Sequence, residues 1–195
     1  RSAELFVVEA LAKKANVDLR KHSVSVISTD GLNFDAFMPL FGKGAMQIPV
    51  AVITDADPPA TTFPGKDAAL ELSPNAKLLQ AEEDEFVKCF FAKKTLEYDL
   101  GFDPVCRTLM LTALEEMHSE IAKDLKAEVD KVDGDDAKAT CLFKGTFQRG
   151  EGKTKVQKGR FSQLLAYELL ESKEAVAVPS YLADALKFVS TPVKP

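Results

Sequence analysis

The chain is predicted to be an α/β protein, a parallel sheet flanked by helices with an added helical part, and three observations predict it. Short apolar runs alternate with helix-forming segments in the first half. Those runs are continuous rather than alternating, the mark of strands buried on both faces. Acidic residues gather just after the runs, where functional groups of parallel sheets sit. With 195 residues, 46% hydrophobic and 28% charged, the sequence is able to bury a sizeable core.

The elements follow in order. Ala3 to Ala15 has apolar residues at helical spacing among strong helix formers. Val24 to Ile27 is a β-branched strand candidate ending at the turn Ser28-Thr29-Asp30-Gly31. Asn33 caps a second helix, Phe34 to Phe41, terminated by Gly42 and Gly44. Ile48 to Ile53 is a second strand, closed by Thr54-Asp55-Ala56-Asp57-Pro58-Pro59, whose prolines end ladder pairing. A polar loop leads to a third strand, Phe86 to Phe91.

The second half carries no clear strand. Pro104 to Lys131 reads as one long helix, broken at Val132 to Asp136, with another helix starting near Ala137. Arg149 to Gln157 is a basic loop, and Phe161 to Ser172 and Tyr181 to Val189 are further helices. A division into an α/β domain, residues 1–103, and a mainly helical domain, residues 104–195, is expected near Asp103.

A net charge of −5 argues against a general nucleic-acid coat, though not against a local basic patch. The apolar runs fall far short of the roughly 20 residues of a membrane span. Cys89, Cys106 and Cys141 are too scattered for a zinc set or a disulfide framework, so reduced, mostly buried thiols and a cytoplasmic compartment are expected.

Asp55 and Asp57 place two carboxylates on one turn after a buried strand. Hard cations such as Mg²⁺ take one or two carboxylates together with water and substrate phosphate. Alone, an Asp-X-Asp is more often a solvated turn; the preceding strand and following prolines favour a site. Glu4 has a helix-dipole reading as well, and Glu97 sits where Thr95 would cap a helix. These acids, converging from separate strand ends, are the most informative feature of the chain.

Glu4, Asp55-Ala56-Asp57 and Thr95-Leu96-Glu97-Tyr98-Asp99-Leu100 resemble the Toprim (topoisomerase–primase) domain of OLD-family (overcoming lysogenization defect) nucleases. That family carries a glutamate after its first strand and a second one helical turn later. An Asp-X-Asp and a Ser/Thr-X-Glu follow. Lys158-Gly159-Arg160-Phe161 and Val178 to Leu182 resemble later family segments, so the resemblance spans nearly the whole chain. It implies a Toprim-type, Rossmann-like sheet and metal-dependent DNA endonuclease chemistry with one or two Mg²⁺ or Mn²⁺ ions. Metal ligation then falls to Glu4, Asp55, Asp57, Thr95 and Glu97, and phosphate stabilisation to Lys158 with Arg160. The family's first strand and its Val-Glu-Gly motif would fall immediately before Arg1, so the first glutamate is not in this sequence. The chain is expected to begin after that segment, because a sheet without its middle strand would expose unpaired backbone.

From Lys144 to Arg160, six cations face Glu151 alone. Lys144, Arg149, Lys153 and Lys155 are candidates for contact with DNA phosphates, where cations give salt-dependent binding, although a solvated loop has the same composition. No Gly-X-X-X-X-Gly-Lys-Ser/Thr occurs, so this chain holds no ATP site, and the resemblance implies an ABC-type ATPase ahead of it. A topoisomerase would need a nucleophilic tyrosine, and Tyr98, Tyr167 and Tyr181 read as packed. The other reading is a non-catalytic, metal-stabilised DNA-binding or interaction module of the same fold.

Overall fold

The computed structural model describes residues 4–29 and 33–191. Asp30 and Gly31 lie outside the described residues. Helix α1, Glu4–Lys14, comes first and buries Val7, Val8, Ala10, Leu11 and Ala12. Its sequence puts an acid in the first turn and Lys13 and Lys14 in the last, both favourable to the helix dipole.

Val24 to Ile27, expected as a strand, belongs to no strand. A β-branched run becomes a strand only where a neighbour completes its ladder. Here the Val24 amide donates instead to the Leu19 carbonyl at 2.8 Å, closing a turn. Val26 packs on the main core, while Ile27 is 72% exposed. The expected helix over Phe34 to Phe41 is likewise two 3₁₀ turns, Asn33–Ala36 and Met38–Leu40. Pro39 lies in the first turn of the second piece, where a proline suits a helix start and not a helix interior. Gly42 follows at φ +102°, a conformation that favours glycine.

The sheet is parallel and is formed by β1, Val50–Asp55, and β2, Val87–Ala92, in register from Val50 opposite Val87 to Asp55 opposite Ala92. The α/β class with helices flanking a parallel sheet is borne out. Between the strands lies α2, Pro74–Ala81, within what reads in sequence as a polar loop. Ser73 caps it, its hydroxyl accepting from the Ala76 amide, and Pro74 occupies the first turn.

After β2 come α3, Leu96–Leu100, and α4, Pro104–Met117. The long helix expected through Lys131 is interrupted at His118, which ends α4 and begins α5, Ser119–Asp130. His118 has φ −152° and ψ 79°, far from helical values, so the break is made in the backbone without proline or glycine. Then follow α6, Asp135–Phe147, α7, Lys158–Glu171, and α8, Ser180–Ser190.

The main core joins both halves of the chain. Val7, Val8 and Leu11 of α1 pack with Phe161, Leu165 and Leu169 of α7, with Met110 and Leu114 of α4, and with Leu182 and Leu186 of α8. Helix α8 also lies against both strands, with Phe188 beside Phe90 at 6.1 Å between ring centroids. Cys89 and Cys106 are buried free thiols and Cys141 is half-buried, and burial pushes the Cys89 thiol up to about 12. Among the described residues no helix is long and apolar enough to cross a membrane.

Candidate metal centre

The carboxyl end of β1 delivers Asp55 because the ladder runs to the last residue of the strand. The Ala56 amide still donates to the Ala92 carbonyl at 2.8 Å, and Ala56 is fully buried. The chain then turns at Asp57, whose φ of +56° is left-handed and rare for a residue with a side chain. Asp55 and Asp57 stand at the rim of a cleft of about 730 Å³, with Phe41, Ser73 and Leu79 on its walls.

The end of β2 delivers the second group. Thr95 caps α3, its hydroxyl accepting from the Tyr98 amide at 3.2 Å. The capping reading of Thr95 is therefore correct locally, and its remaining lone pair is the ligand capacity left to it. Every residue of α3 is buried, including Glu97 and Asp99. Both carboxyl oxygens of Glu97 and Oδ1 of Asp99 are buried with no hydrogen-bond partner, whereas Asp99 Oδ2 accepts from the Lys93 amide at 2.9 Å. Buried polar groups are nearly always satisfied, so three orphaned carboxyl oxygens in one short helix require an explanation.

Helix α7 brings Lys158 to them. Its Nζ lies 3.9 Å from Glu97 Oε1 and 5.0 Å from the centroid of the Phe147 ring. Arg160, two residues on, is exposed in the first turn of α7. Glu4 begins α1 and belongs to the same electrostatic group.

The titration of Asp55 reports this grouping. Its carboxyl is pushed up to about 7, first by desolvation and then by Glu97, Glu4 and Asp99, with Lys158 acting the other way. Burial is also the first cause that raises Asp99 to about 6. Tyr181, in the first turn of α8, is held well above the ordinary phenol range by burial and by Asp99, Asp55, Glu97 and Glu4. Glu4, Asp55, Glu97 and Lys158 are thus brought into one electrostatic neighbourhood. Asp57 shares the cleft with Asp55, and its charge acts on Lys94.

Asp99 and Tyr181 are members of the neighbourhood that sequence reading missed. Asp99 had a signal: it sits among Leu96, Tyr98 and Leu100, in a run whose apolar residues leave an acid little access to water. Tyr181 lay within the family-like segment Val178 to Leu182, but only the packing of α8 on the strands carries it there. Among the DNA-contact candidates, Lys144 lies 4.4 Å over the Phe63 ring, and Arg149 Nη1 donates to the Thr154 carbonyl at 3.0 Å. Lys153 and Lys155 are exposed in the loop before α7.

A proton effect follows with a definite sign. The folded pKa of Asp55 lies above its unfolded value, so the folded chain holds that proton more tightly. The stability this contributes is full on the acid side and is lost as pH rises through about 7. Thermal unfolding in EDTA is therefore expected to show wild type losing ground to Asp55→Asn between about pH 4 and pH 7. Parallel curves for the two proteins would contradict the grouping.

Residues 2–57 match the family model described as overcoming lysogenization defect protein-like, TOPRIM domain. This segment is similar to the OLD-like Toprim domain. The match covers less than a third of the chain and runs from just before Glu4 to Asp57. No curated protein and no solved structure matches the chain. Toprim domains act on nucleic acid and bind divalent metal, and the donor set of this segment and α3 fits such an ion in its chemistry. The donors are carboxylate oxygens, which hard cations prefer, and Glu97 presents two that are buried without partners. Among the described residues no three acidic, histidine or cysteine side chains converge closely enough to form a closed cage. An ion of the Mg²⁺ type does not require one, because water and substrate phosphate complete its shell.

Proposed function

We propose that this chain is the metal-dependent DNA endonuclease part of a larger ATPase–nuclease, with the ATPase domain preceding it. The observation that carries the reading is the pair of buried, unpartnered Glu97 oxygens set beside Lys158 and coupled to Asp55. Glu4, Asp55, Asp57 and Glu97 would hold one or two Mg²⁺ or Mn²⁺ ions, with Thr95 a weaker donor. Bound there, the metal supplies a water made nucleophilic at neutral pH and a charge to stabilise the leaving oxygen.

The reaction is hydrolysis of a phosphodiester: a water oxygen bonds to phosphorus, the bond to the leaving oxygen breaks, and that oxygen takes a proton. The side chains prepare this in distinct ways. Lys158 offers a fixed cation to the charge that grows on the phosphate oxygens, and a preorganised cation there needs no rearrangement during reaction. Arg160, exposed nearby, reaches the same or the adjacent phosphate. Lys144, Arg149, Lys153 and Lys155 bind backbone phosphates and fix the register of the duplex. Tyr181, kept neutral, is available as a hydrogen-bond donor at the edge of the carboxylates.

The test is nicking of supercoiled plasmid by the purified chain with Mg²⁺ or Mn²⁺ and with EDTA, beside Lys158→Ala. Cation-dependent nicking is expected, with Lys158→Ala lowering kcat by on the order of 10²–10³-fold while DNA affinity changes little. Nicking that persists in EDTA, or a Lys158→Ala variant of full activity, would sink the reading. DNA binding without any cation-dependent cleavage would favour the non-catalytic module.

A further inference from the structure

Lys94 stands two residues beyond β2 and is only 6% exposed. A buried ammonium is costly unless its protons are taken, and here one loop takes them. Its Nζ donates to the carbonyls of Thr62 at 2.9 Å, Ala60 at 3.1 Å and Pro59 at 3.4 Å. It also lies 4.6 Å from the centroid of the Phe63 ring. Every one of these partners belongs to the segment that leaves Asp55-Ala56-Asp57.

Other residues brace the same segment. Gln148 donates to the Ala60 carbonyl at 3.3 Å, and the Tyr98 hydroxyl to the Pro64 carbonyl at 2.9 Å. Phe63 meets Tyr98 and Phe143 edge-on. These contacts lock the loop from outside, but among the described residues only Lys94 reaches three of its carbonyls at once.

The loop needs such locking at its start. Asp57 is left-handed although it carries a side chain, and it precedes a proline, which narrows its choices further. A residue held there persists only where its surroundings over-determine it. Lys94 also carries charge toward Asp57 and Asp55, the two acids that it lies closest to electrostatically.

We infer that Lys94 is a positioning residue: by gathering the carbonyls of residues 59–62 it fixes the backbone of Asp57 and so places that carboxylate beside Asp55. The inference rests on the metal-dependent reading of the site. The sequence hides it, because Lys93-Lys94 looks like a solvated basic pair at the end of a strand.

The test uses the whole chain and Mn²⁺ alone as probe. Lys94→Met, the milder Lys94→Gln and, separately, Gln148→Ala are titrated with Mn²⁺ by calorimetry and compared by hydrogen exchange over residues 57–66. Lys94→Met is expected to weaken Mn²⁺ by about 10–100-fold, the usual effect of losing a group that orients a ligand. Lys94→Gln and Gln148→Ala weaken it less, in the same direction, and exchange in the loop rises in all three. Should Lys94→Met fail to fold, the two milder variants decide. Folded variants with wild-type Mn²⁺ affinity overturn the inference. A wild-type chain that binds no Mn²⁺ overturns the metal reading instead, and loop exchange then decides alone whether Lys94 holds the segment.

Discussion

Replacing Glu97 by methionine is expected to stabilise the metal-free chain while ending its activity. Glu97 is 3% exposed, and neither of its carboxyl oxygens has a hydrogen-bond partner. An unsatisfied buried polar group costs about 1–3 kcal/mol, and methionine fills a similar unbranched volume without that cost. It also removes one of the charges that raise Asp55. Lys158 loses an ion pair at 3.9 Å, but about a third of its side chain remains open to water. For a chain of this size each kcal/mol moves the melting temperature by about 2–4 °C, so thermal unfolding in EDTA resolves the effect. The same variant should show no cation-dependent nicking. A fall in melting temperature would mean that Glu97 contributes to the fold, and that its burial marks a structural acid. A gain in stability bought with activity is the expected signature of a site that holds strain for function.

Asp55→Ala carries the largest expected loss. Asp55 ends β1 with its carboxyl coupled to Glu97 and Asp99 of α3 and to Glu4 of α1, so it is the group that links the acids of one strand and two helices. Even groups that merely orient metal ligands are worth about 10–100-fold, and a ligand itself should be worth more. Cleavage by Asp55→Ala should therefore fall by more than about 100-fold and out of reach of added Mn²⁺. The fold should survive, because the strand ladder through Ala56 is made by backbone groups and does not use the Asp55 side chain. Circular dichroism and the plasmid assay on one preparation separate the two effects. Retained cleavage would move the reaction away from the end of β1.

Much of this was legible in the sequence where local chemistry decides structure. The continuous apolar runs at Val50 and Val87 announced a parallel sheet, and the two strands fall within two residues of expectation. Helix starts were readable too, α4 at Pro104 and α8 next to Pro179 and Ser180. Val24 to Ile27 shows where local reading stops: a run is a strand only if a partner meets it, and partnership is not written in the run. His118 shows the reverse, a helix break made by backbone geometry in a stretch without proline or glycine. Reading the stretch between the two strands as a polar loop concealed α2, although Ser-Pro at its head is a start signal that only a helical sequel gives meaning.

The site divides in the same way. Asp55-Ala56-Asp57 and Thr95-Leu96-Glu97 were visible as motifs because turn and cap residues flank them. That Lys158 would reach Glu97 across more than sixty residues of chain depended on α7 packing against α1 and α4. Burial supplied what no motif could. It distinguishes Glu97, wholly enclosed, from the surface acids Glu82 and Glu85, and Lys94 from its half-exposed neighbour Lys93.

The central claim is that these carboxylates together hold a divalent cation. A calorimetric titration of the chain with Mn²⁺, beside Asp55→Ala under the same conditions, tests it most directly. Saturable binding by wild type that Asp55→Ala loses is the predicted result. Equal binding by both proteins, or none by a folded wild type, would contradict it.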